Sequence, residues 1–592
     1  MTGLELRSEA AHEARFVKYS GTSPVVTPMS LGIDFGAEPL AEVAWRVLVA
    51  TAAQDDAQKV VFEAAFRLDA DRGTGFSERL AGVVAERWRI GPGLLNAASL
   101  GKCWLNPRCL RWIGRELAAA QAAAASGIGV PLVLSVEAQL AMNLIFPHLV
   151  EGRPVDAADV LMAAWLLHDT FIGADGWDRE SGEGLLGHLS ALTFSSPSAV
   201  GCLERFAASE ALWAVADDEP LAGHPGWGGL EPSALRGSFA RAVGVEVDEW
   251  LGGAFCVLMR PWSGANDLGV SPSFRTFGSA LPESDVGRRV ATALESRLAQ
   301  SIDELGVAVL ARAQASGGYQ GLGSTSQTEW SELHDRPVVR FQDGAMMVTS
   351  SDAFARAACA IPRQVIEADP KLGGRRKVGG TIGCMFEVAT TKLLSRLEGR
   401  CEIKTGADID AIIGDGAARC DVVVADTGGV VALEFGLQPI HVDAAAGKSS
   451  GAETMIERYV SKMRQAQATT RPVEMATALS SGLPRPIGHF VVVEEPMAFT
   501  AVHCASLRGT HDDVPDLFVI GIVDLARLVD LAALGHSLPL ALIGWQTGGS
   551  QLPFDHRLPQ LERLTGPDRS RLTAALGRLV DAVNGTQMSE AA

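Results

Sequence analysis

The sequence lacks an apolar run long enough to cross a lipid bilayer, which takes about 18 consecutive residues. Its most apolar stretch, residues 131–150, is interrupted by Glu137 and Pro147. A secretory signal has an apolar core behind its charged residues, and the first residues, MTGLELRSEAAHEARF, have none. The sequence therefore predicts a soluble, cytoplasmic protein with no membrane partner.

Cysteine is sparse, and its spacing is irregular. The nine cysteines are scattered over 592 residues, and only Cys103 and Cys109 lie close together. That pair has no second pair with which to complete a structural zinc site. The odd number and the scatter predict reduced, mostly buried thiols.

Basic charge is also in deficit, with 51 Lys and Arg against 70 Asp and Glu and a net charge of −19. Any nucleic-acid site must therefore be a local basic patch. The segment from Arg363 to Lys404 is such a patch, with nine basic and five acidic residues. Within it, GGRRKVGG predicts a flexible loop in which Arg375, Arg376 and Lys377 contact phosphate groups.

Length and composition favour several folded domains, because 592 residues exceed one ordinary core and 47% are hydrophobic. Helical spacing dominates the first part, and Val/Ile-rich strands alternate with helices later. We predict an α+β multidomain chain whose N-terminal two-thirds are mainly helical. Its domains are a helical domain over 1–225, a second one ending in a glycine-rich hinge over 226–330, and an α/β domain over 331–592. The last has a mixed sheet flanked by helices.

The local patterns assign individual elements. Helices are predicted at 38–88, 108–126, 133–171, 246–259, 283–315, 352–369, 383–399 and 453–467, and in the last 60 residues. A hairpin is predicted at 336–350, and strands at 401–404, 409–413, 420–425, 430–435, 487–494 and 518–523.

One strand pair carries two acidic residues. In CDVVVADTGGVVALEFG, residues 420–436, Asp421 begins the first strand and Glu434 ends the second, so an antiparallel pair would bring them together. Neighbouring buried carboxylates repel each other, and a divalent cation relieves that repulsion. The sequence thus predicts a Mg²⁺ site at Asp421 and Glu434, with Mn²⁺ as a substitute. Glu387, in the upstream helix IGCMFEVATTKLLSRL, offers a third carboxylate.

These residues, in this order, resemble the PD-(D/E)xK restriction-endonuclease-like superfamily, with a Glu helix, an Asp strand, a strand ending E-x-K and then a helix. The G-x-x-F-E helix, the C-D-V-V-V and A-L-E strands and IGIVDLARLVDLAAL carry the resemblance, over about residues 335–550. It implies a nuclease-fold hydrolase that acts on or binds DNA or RNA, of the kind found in bacterial defence loci. It also implies that Glu387, Asp421 and Glu434 are catalytic acids.

The sequence departs from the family at the lysine, because Gly436 stands where E-x-K requires it. The family lysine orients or activates water, which a glycine cannot do. We expect Lys392, just over one helical turn beyond Glu387, to replace it, with Lys448 and Lys462 ranked behind.

Three functions stay open at this point. The chain is a Mg²⁺-dependent endonuclease whose helical N-terminal region senses a trigger or binds a protein partner. Alternatively, it is a catalytically inactive nuclease-like domain that serves as a binding or scaffold module. A third option is a helical adaptor whose C-terminal domain mediates assembly.

Overall fold

The structure is a computed structural model that describes fifteen stretches and single residues, all from residue 199 onward. They are 199–217, 221, 224, 227–263, 277–301, 303–304, 307, 335–340, 346–348, 351–414, 419–437, 449–481, 485–496, 517–547 and 569–585. The helices predicted before residue 199 and the glycine-rich hinge lie outside the described residues. Within the described ranges, no helix is long and apolar enough to cross a membrane.

All the described strands follow residue 298, where they are interspersed with helices. The helices are α1 (Ala199–Trp213), α2 (Pro232–Val243), α3 (Val247–Ser263), α4 (Asp285–Leu298), α5 (Ser351–Glu367), α6 (Arg375–Ser395), α7 (Gly406–Ile413), α8 (Ser449–Ser481), α9 (Ile522–Ala533), α10 (Leu538–Thr547) and α11 (Ser570–Asn584). The strands are β1 (Ala299–Ser301), β2 (Val338–Arg340), β3 (Met346–Val348), β4 (Glu402–Thr405), β5 (Val422–Asp426), β6 (Gly429–Gly436), β7 (Ile487–Val493) and β8 (Val519–Gly521).

A five-stranded mixed sheet, in the order β4-β5-β6-β7-β8, forms the centre of the C-terminal part. The strands β4, β5 and β6 run antiparallel, whereas β6, β7 and β8 run parallel. A tight turn suffices between β5 and β6, and Gly429 has a φ of 154° there. The parallel step from β6 to β7 needs a longer crossover, which contains α8. Every residue of β6 is buried, which explains its nearly continuous apolar sequence.

Successive side chains of a strand point to opposite faces of the sheet, and here each face belongs to a different hydrophobic core. Val424 and Leu433 belong to the core that includes α6, whereas Val423 and Ala432 pack with residues of α8. By the same alternation, Glu434 lies on the α8 side of the sheet. The sheet is therefore covered by α6 on one face and by α8 on the other.

A second sheet joins segments that are distant in the chain. Strand β1 follows α4 directly and pairs parallel with β2, which pairs antiparallel with β3. Nearby, Trp250 of α3 donates a 2.8 Å hydrogen bond to the carbonyl oxygen of Ala358 in α5. One hydrophobic core extends from Cys202 to Val583 among the described residues. It thus includes residues on both sides of position 330.

The structure confirms the mixed sheet flanked by helices and the strand pair at 336–350. The predicted strands at 401–404, 420–425, 430–435 and 487–494 each correspond to an observed strand within one or two residues. The helix predicted at 453–467 is present and is longer, since α8 spans Ser449–Ser481.

One predicted strand is wrong, and one predicted helix is interrupted. The strand predicted at 409–413 is the second half of α7, and its apolar residues Ile409, Ile412 and Ile413 do recur at helical spacing. The helix predicted at 283–315 is present as α4 and is interrupted after Leu298 by β1, beyond which residues 303, 304 and 307 are again helical. In that case pairing with the distant β2 outweighs the local helical pattern.

The flexible basic loop predicted at 373–380 is also wrong, because α6 begins at Arg375 and includes Gly379 and Gly380. Each interior glycine costs about 1 kcal/mol of helix stability relative to alanine. Burial of Val378 and Ile382 in the core offsets that cost. Close packing also fixes this turn, since a Cβ on Gly228 would lie 1.8 Å from the carbonyl oxygen of Lys377.

Candidate active site

Asp421 lies directly before β5 and is held against the end of β6. The register pairs Val422 with Leu433 and so brings Asp421 beside Glu434. The backbone N–H of Asp421 donates to the carbonyl oxygen of Leu433 at 3.1 Å. Its carboxylate oxygen Oδ2 accepts a 2.6 Å hydrogen bond from the backbone N–H of Phe435. Two backbone contacts therefore fix this carboxylate at the strand end.

Glu434 is only 2% exposed, although its side chain ends in a carboxyl group. Its Oε1 accepts a 2.7 Å hydrogen bond from Nζ of Lys462 in α8. Its Oε2 is buried and has no hydrogen-bond partner among the described residues. Burial, followed by the charge of Asp421, raises the pKa of Glu434 to about 8. One oxygen of a buried carboxylate thus remains unsatisfied, which is costly in a folded protein.

Glu387 acts on both strand-end carboxylates through its charge. Burial, followed by the charge of Glu387, raises the pKa of Asp421 to about 6. The charge of Glu387 also raises the pKa of Glu434. The register places Asp421 opposite Glu434, and the charge of Glu387 acts on both of them.

His224 is a member of the site that the sequence did not reveal. It lies in the segment before α2, and its Nδ1 is 2.9 Å from Oε2 of Glu387. The hydrogen bond to Glu387 raises the pKa of His224, burial opposes this, and the charges of Glu387 and Asp421 add to the rise. The two residues are 163 positions apart, so no local pattern connects them.

The lysine prediction has to be corrected. Lys392 is exposed on α6 and lines a separate cavity of about 440 Å³ together with Arg396 and Arg578. Five helical residues turn the chain by about 500°, so Lys392 lies about 140° around the axis from Glu387. The lysine that contacts the acidic group is Lys462, which the sequence ranked behind it. Lys448 lies outside the described residues.

The three predicted phosphate-binding residues Arg375, Arg376 and Lys377 form the exposed first turn of α6. They precede Glu387 by ten to twelve residues, which corresponds to about 15–18 Å along the helix. They are therefore held on the helix that carries Glu387, at a distance from the carboxylates.

The donors fit a divalent cation. Carboxylate oxygens are the ligands that Mg²⁺ and Mn²⁺ prefer, and Glu434, whose Oε2 is unpartnered among the described residues, lies opposite Asp421 in the strand register. A cation bound there would satisfy that oxygen and reduce the repulsion that raises both pKa values. Comparison with protein-family models, with curated proteins and with solved structures finds no match for this chain.

Proposed function

We propose that the protein is a metal-dependent nuclease that hydrolyses phosphodiester bonds of DNA or RNA. One observation carries the proposal: Lys462 contacts one oxygen of Glu434, the other oxygen is buried without a partner among the described residues, and Asp421 lies opposite Glu434 in the strand register. The order of the acids, from a helix and two successive strands, is the order that the resemblance implies. A lysine on the following helix supplies the charge that Gly436 cannot.

Asp421 and Glu434 would hold the cation, and Glu387 would contribute a third carboxylate. A divalent cation bound there polarises a phosphate and lowers the pKa of coordinated water. The backbone hydrogen bond from Phe435 keeps one oxygen of Asp421 in place and leaves the other for binding. The strand register would thus hold Asp421 and Glu434 in place beside each other.

Lys462 stabilises negative charge at this site. Its ammonium group has three donors, and Glu434 accepts from one of them. Its side chain is 27% exposed, so the remaining donors are accessible from the surface. Directed at a phosphate oxygen or at the attacking water, they would stabilise the charge that develops during hydrolysis.

Arg375, Arg376 and Lys377 would bind the nucleic-acid backbone. Cations at a helix N-terminus are unfavourable by themselves because the helix dipole is positive there. A phosphate group relieves this and also accepts from the free N–H groups of the first turn. At about 3.4 Å per nucleotide, a distance of 15–18 Å corresponds to phosphates some four to five positions from the cleavage point.

The test is a cleavage assay of the full chain on single- and double-stranded DNA and RNA, with Mg²⁺, Mn²⁺ or EDTA. We expect metal-dependent cleavage that Asp421→Asn and Glu434→Gln each reduce by about 10²–10³-fold or more. Glu402→Gln, at an exposed position of β4, is the matched control and should retain activity. Undiminished cleavage by Asp421→Asn would contradict the proposal. Absence of cleavage with every metal would favour the inactive scaffold.

A further inference from the structure

Three donors of different chemistry converge on the α6 side of the site. A ring nitrogen of His224, the Sγ of Cys384 and a carboxylate oxygen of Glu387 all lie within 4.8 Å of one another. Cys384 and Glu387 are three residues apart on α6, so they share one face of that helix. His224 meets them from the segment before α2.

We propose that His224, Cys384 and Glu387 form a second metal site, which binds a borderline divalent ion such as Zn²⁺. A thiolate, an imidazole and a carboxylate are the ligand types of zinc sites, whereas Mg²⁺ takes oxygen ligands only. This site shares Glu387 with the group proposed above, but it differs in selectivity from the oxygen-only position at Asp421 and Glu434. It goes beyond the proposed nuclease function.

The geometry needs little adjustment to reach coordination. In a tetrahedral site with metal–ligand distances of about 2.1 Å, neighbouring N and O ligands lie about 3.4 Å apart. The observed distance from His224 Nδ1 to Glu387 Oε2 is 2.9 Å, so the pair would open by about half an ångström. The Cys384 sulfur lies within 4.8 Å of both and would approach by about an ångström.

Charge and access both favour a cation here. The charges of Glu387 and Asp421 act on both His224 and Cys384, and the opposing charge of Arg419 has a smaller effect on His224. Cys384 is buried, but the side chains of His224 and Glu387 are 28% and 23% exposed and provide an entry path. Binding replaces the thiol proton, which is released to solvent as the S–metal bond forms. Three protein ligands leave a fourth position for water.

The test uses Co²⁺ as a spectroscopic substitute for Zn²⁺ in the full-length protein. We expect one equivalent of Co²⁺ to produce a thiolate-to-cobalt charge-transfer band in the near ultraviolet, which Zn²⁺ then abolishes by displacement. Cys384→Ser should remove the band. His224→Ala should weaken Co²⁺ affinity by at least about tenfold and keeps the buried thiol intact, so it tests the site even if Cys384→Ser folds poorly.

Two controls separate this proposal from others. Cys401→Ser changes another partly buried cysteine and should keep the band. Glu434→Gln removes a proposed Mg²⁺ ligand and should also keep the band, because the readout is binding and not cleavage. A wild type without the band, or a band that persists in Cys384→Ser or is unweakened in His224→Ala, would overturn the proposal. Loss of cleavage in Glu434→Gln alone bears only on the nuclease function.

Discussion

Two groups of buried acidic residues in this molecule are neutralised in very different ways. Where α1, α6, α9 and α11 meet, Arg571 contacts both Glu204 and Asp530. Arg396 donates a second cationic contact to Asp530, at 2.6 Å. Two carboxylates thus face two guanidinium groups. This group is called the arginine network below.

At the end of β5 and β6, the described residues place three carboxylates with one lysine, Lys462, and His224 beside Glu387. Guanidinium groups have several fixed donors and can satisfy both oxygens of a carboxylate. The lysine leaves Oε2 of Glu434 unpaired. The arginine network thus satisfies its buried carboxylates, whereas the group at Glu434 leaves one oxygen unsatisfied at a cost in stability, and the proposed function assigns that oxygen to a cation.

The largest effect is expected from disrupting the arginine network. Arg571→Met leaves Glu204 and Asp530 buried with fewer partners, so the free energy of unfolding should fall by about 3 kcal/mol or more. Chemical denaturation measures it. The control is Arg288→Met, which removes an exposed pair with Asp285 and should cost less than about 1 kcal/mol. Equal losses of unfolding free energy in the two variants would show that the buried arginine network contributes no more than an exposed ion pair.

Removal of the Lys462 ammonium group tests its proposed role in cleavage. Lys462→Met should lower metal-dependent cleavage by about 10²-fold, because the charge at Glu434 disappears. Lys462→Arg should restore part of the activity. Arg458→Met, at an exposed position of the same helix, should cleave like the wild type. If Lys462→Met cleaves normally, the lysine has no role in the reaction.

Glu434→Gln is expected to increase the free energy of unfolding of the metal-free protein, by less than Arg571→Met lowers it. The folded-state pKa of Glu434 is raised from 4.5 to about 8, so the folded protein binds more protons than the unfolded chain between these values. Wild-type stability therefore falls as pH rises through that window, by up to about 1.4 kcal/mol per unit before relaxation.

The glutamine variant carries no such group and should be more stable than the wild type at pH 8, by about 1–2 kcal/mol. The difference should vanish near pH 4.5. Thermal denaturation in EDTA at several pH values measures it. A variant that is less stable at pH 8 would show that the ion pair with Lys462 outweighs the cost of burial.

The smallest effect is expected for Lys392→Ala, since this exposed residue lines another cavity. Cleavage should change by less than about twofold, and the free energy of unfolding by less than about 0.5 kcal/mol. A large loss of cleavage would show that Lys392 acts in the reaction, and it would contradict the assignment of that role to Lys462.

Local sequence patterns were sufficient to predict that Asp421 and Glu434 lie beside each other. The alternation of side chains and the tight turn between β5 and β6 define an antiparallel pair, and the pair brings Asp421 beside Glu434. Lys462 and His224 could not be assigned in this way. They are 28 and 163 residues from their partners, and only packing of α8 and of the segment before α2 brings them close.

The misassigned elements have a related cause. Glycines at 373–374 and 379–380 indicate a loop, yet α6 includes the second pair because its neighbours are buried in the core. The strand β1 is only three residues long, and its partner β2 lies 39 positions later in the register from Ala299 to Val338. A pattern within one segment contains no information about either contact.

The contact between Lys462 and Glu434 joins a helix, α8, to a strand, β6. Strand β6 is held in register by a neighbour on each side, so Glu434 cannot slide without breaking the sheet. A helix packed on a sheet face has no such ladder of hydrogen bonds. A shift of α8 by one turn, about 5.4 Å, would carry the ammonium group out of reach of Glu434 while leaving all three carboxylates in place.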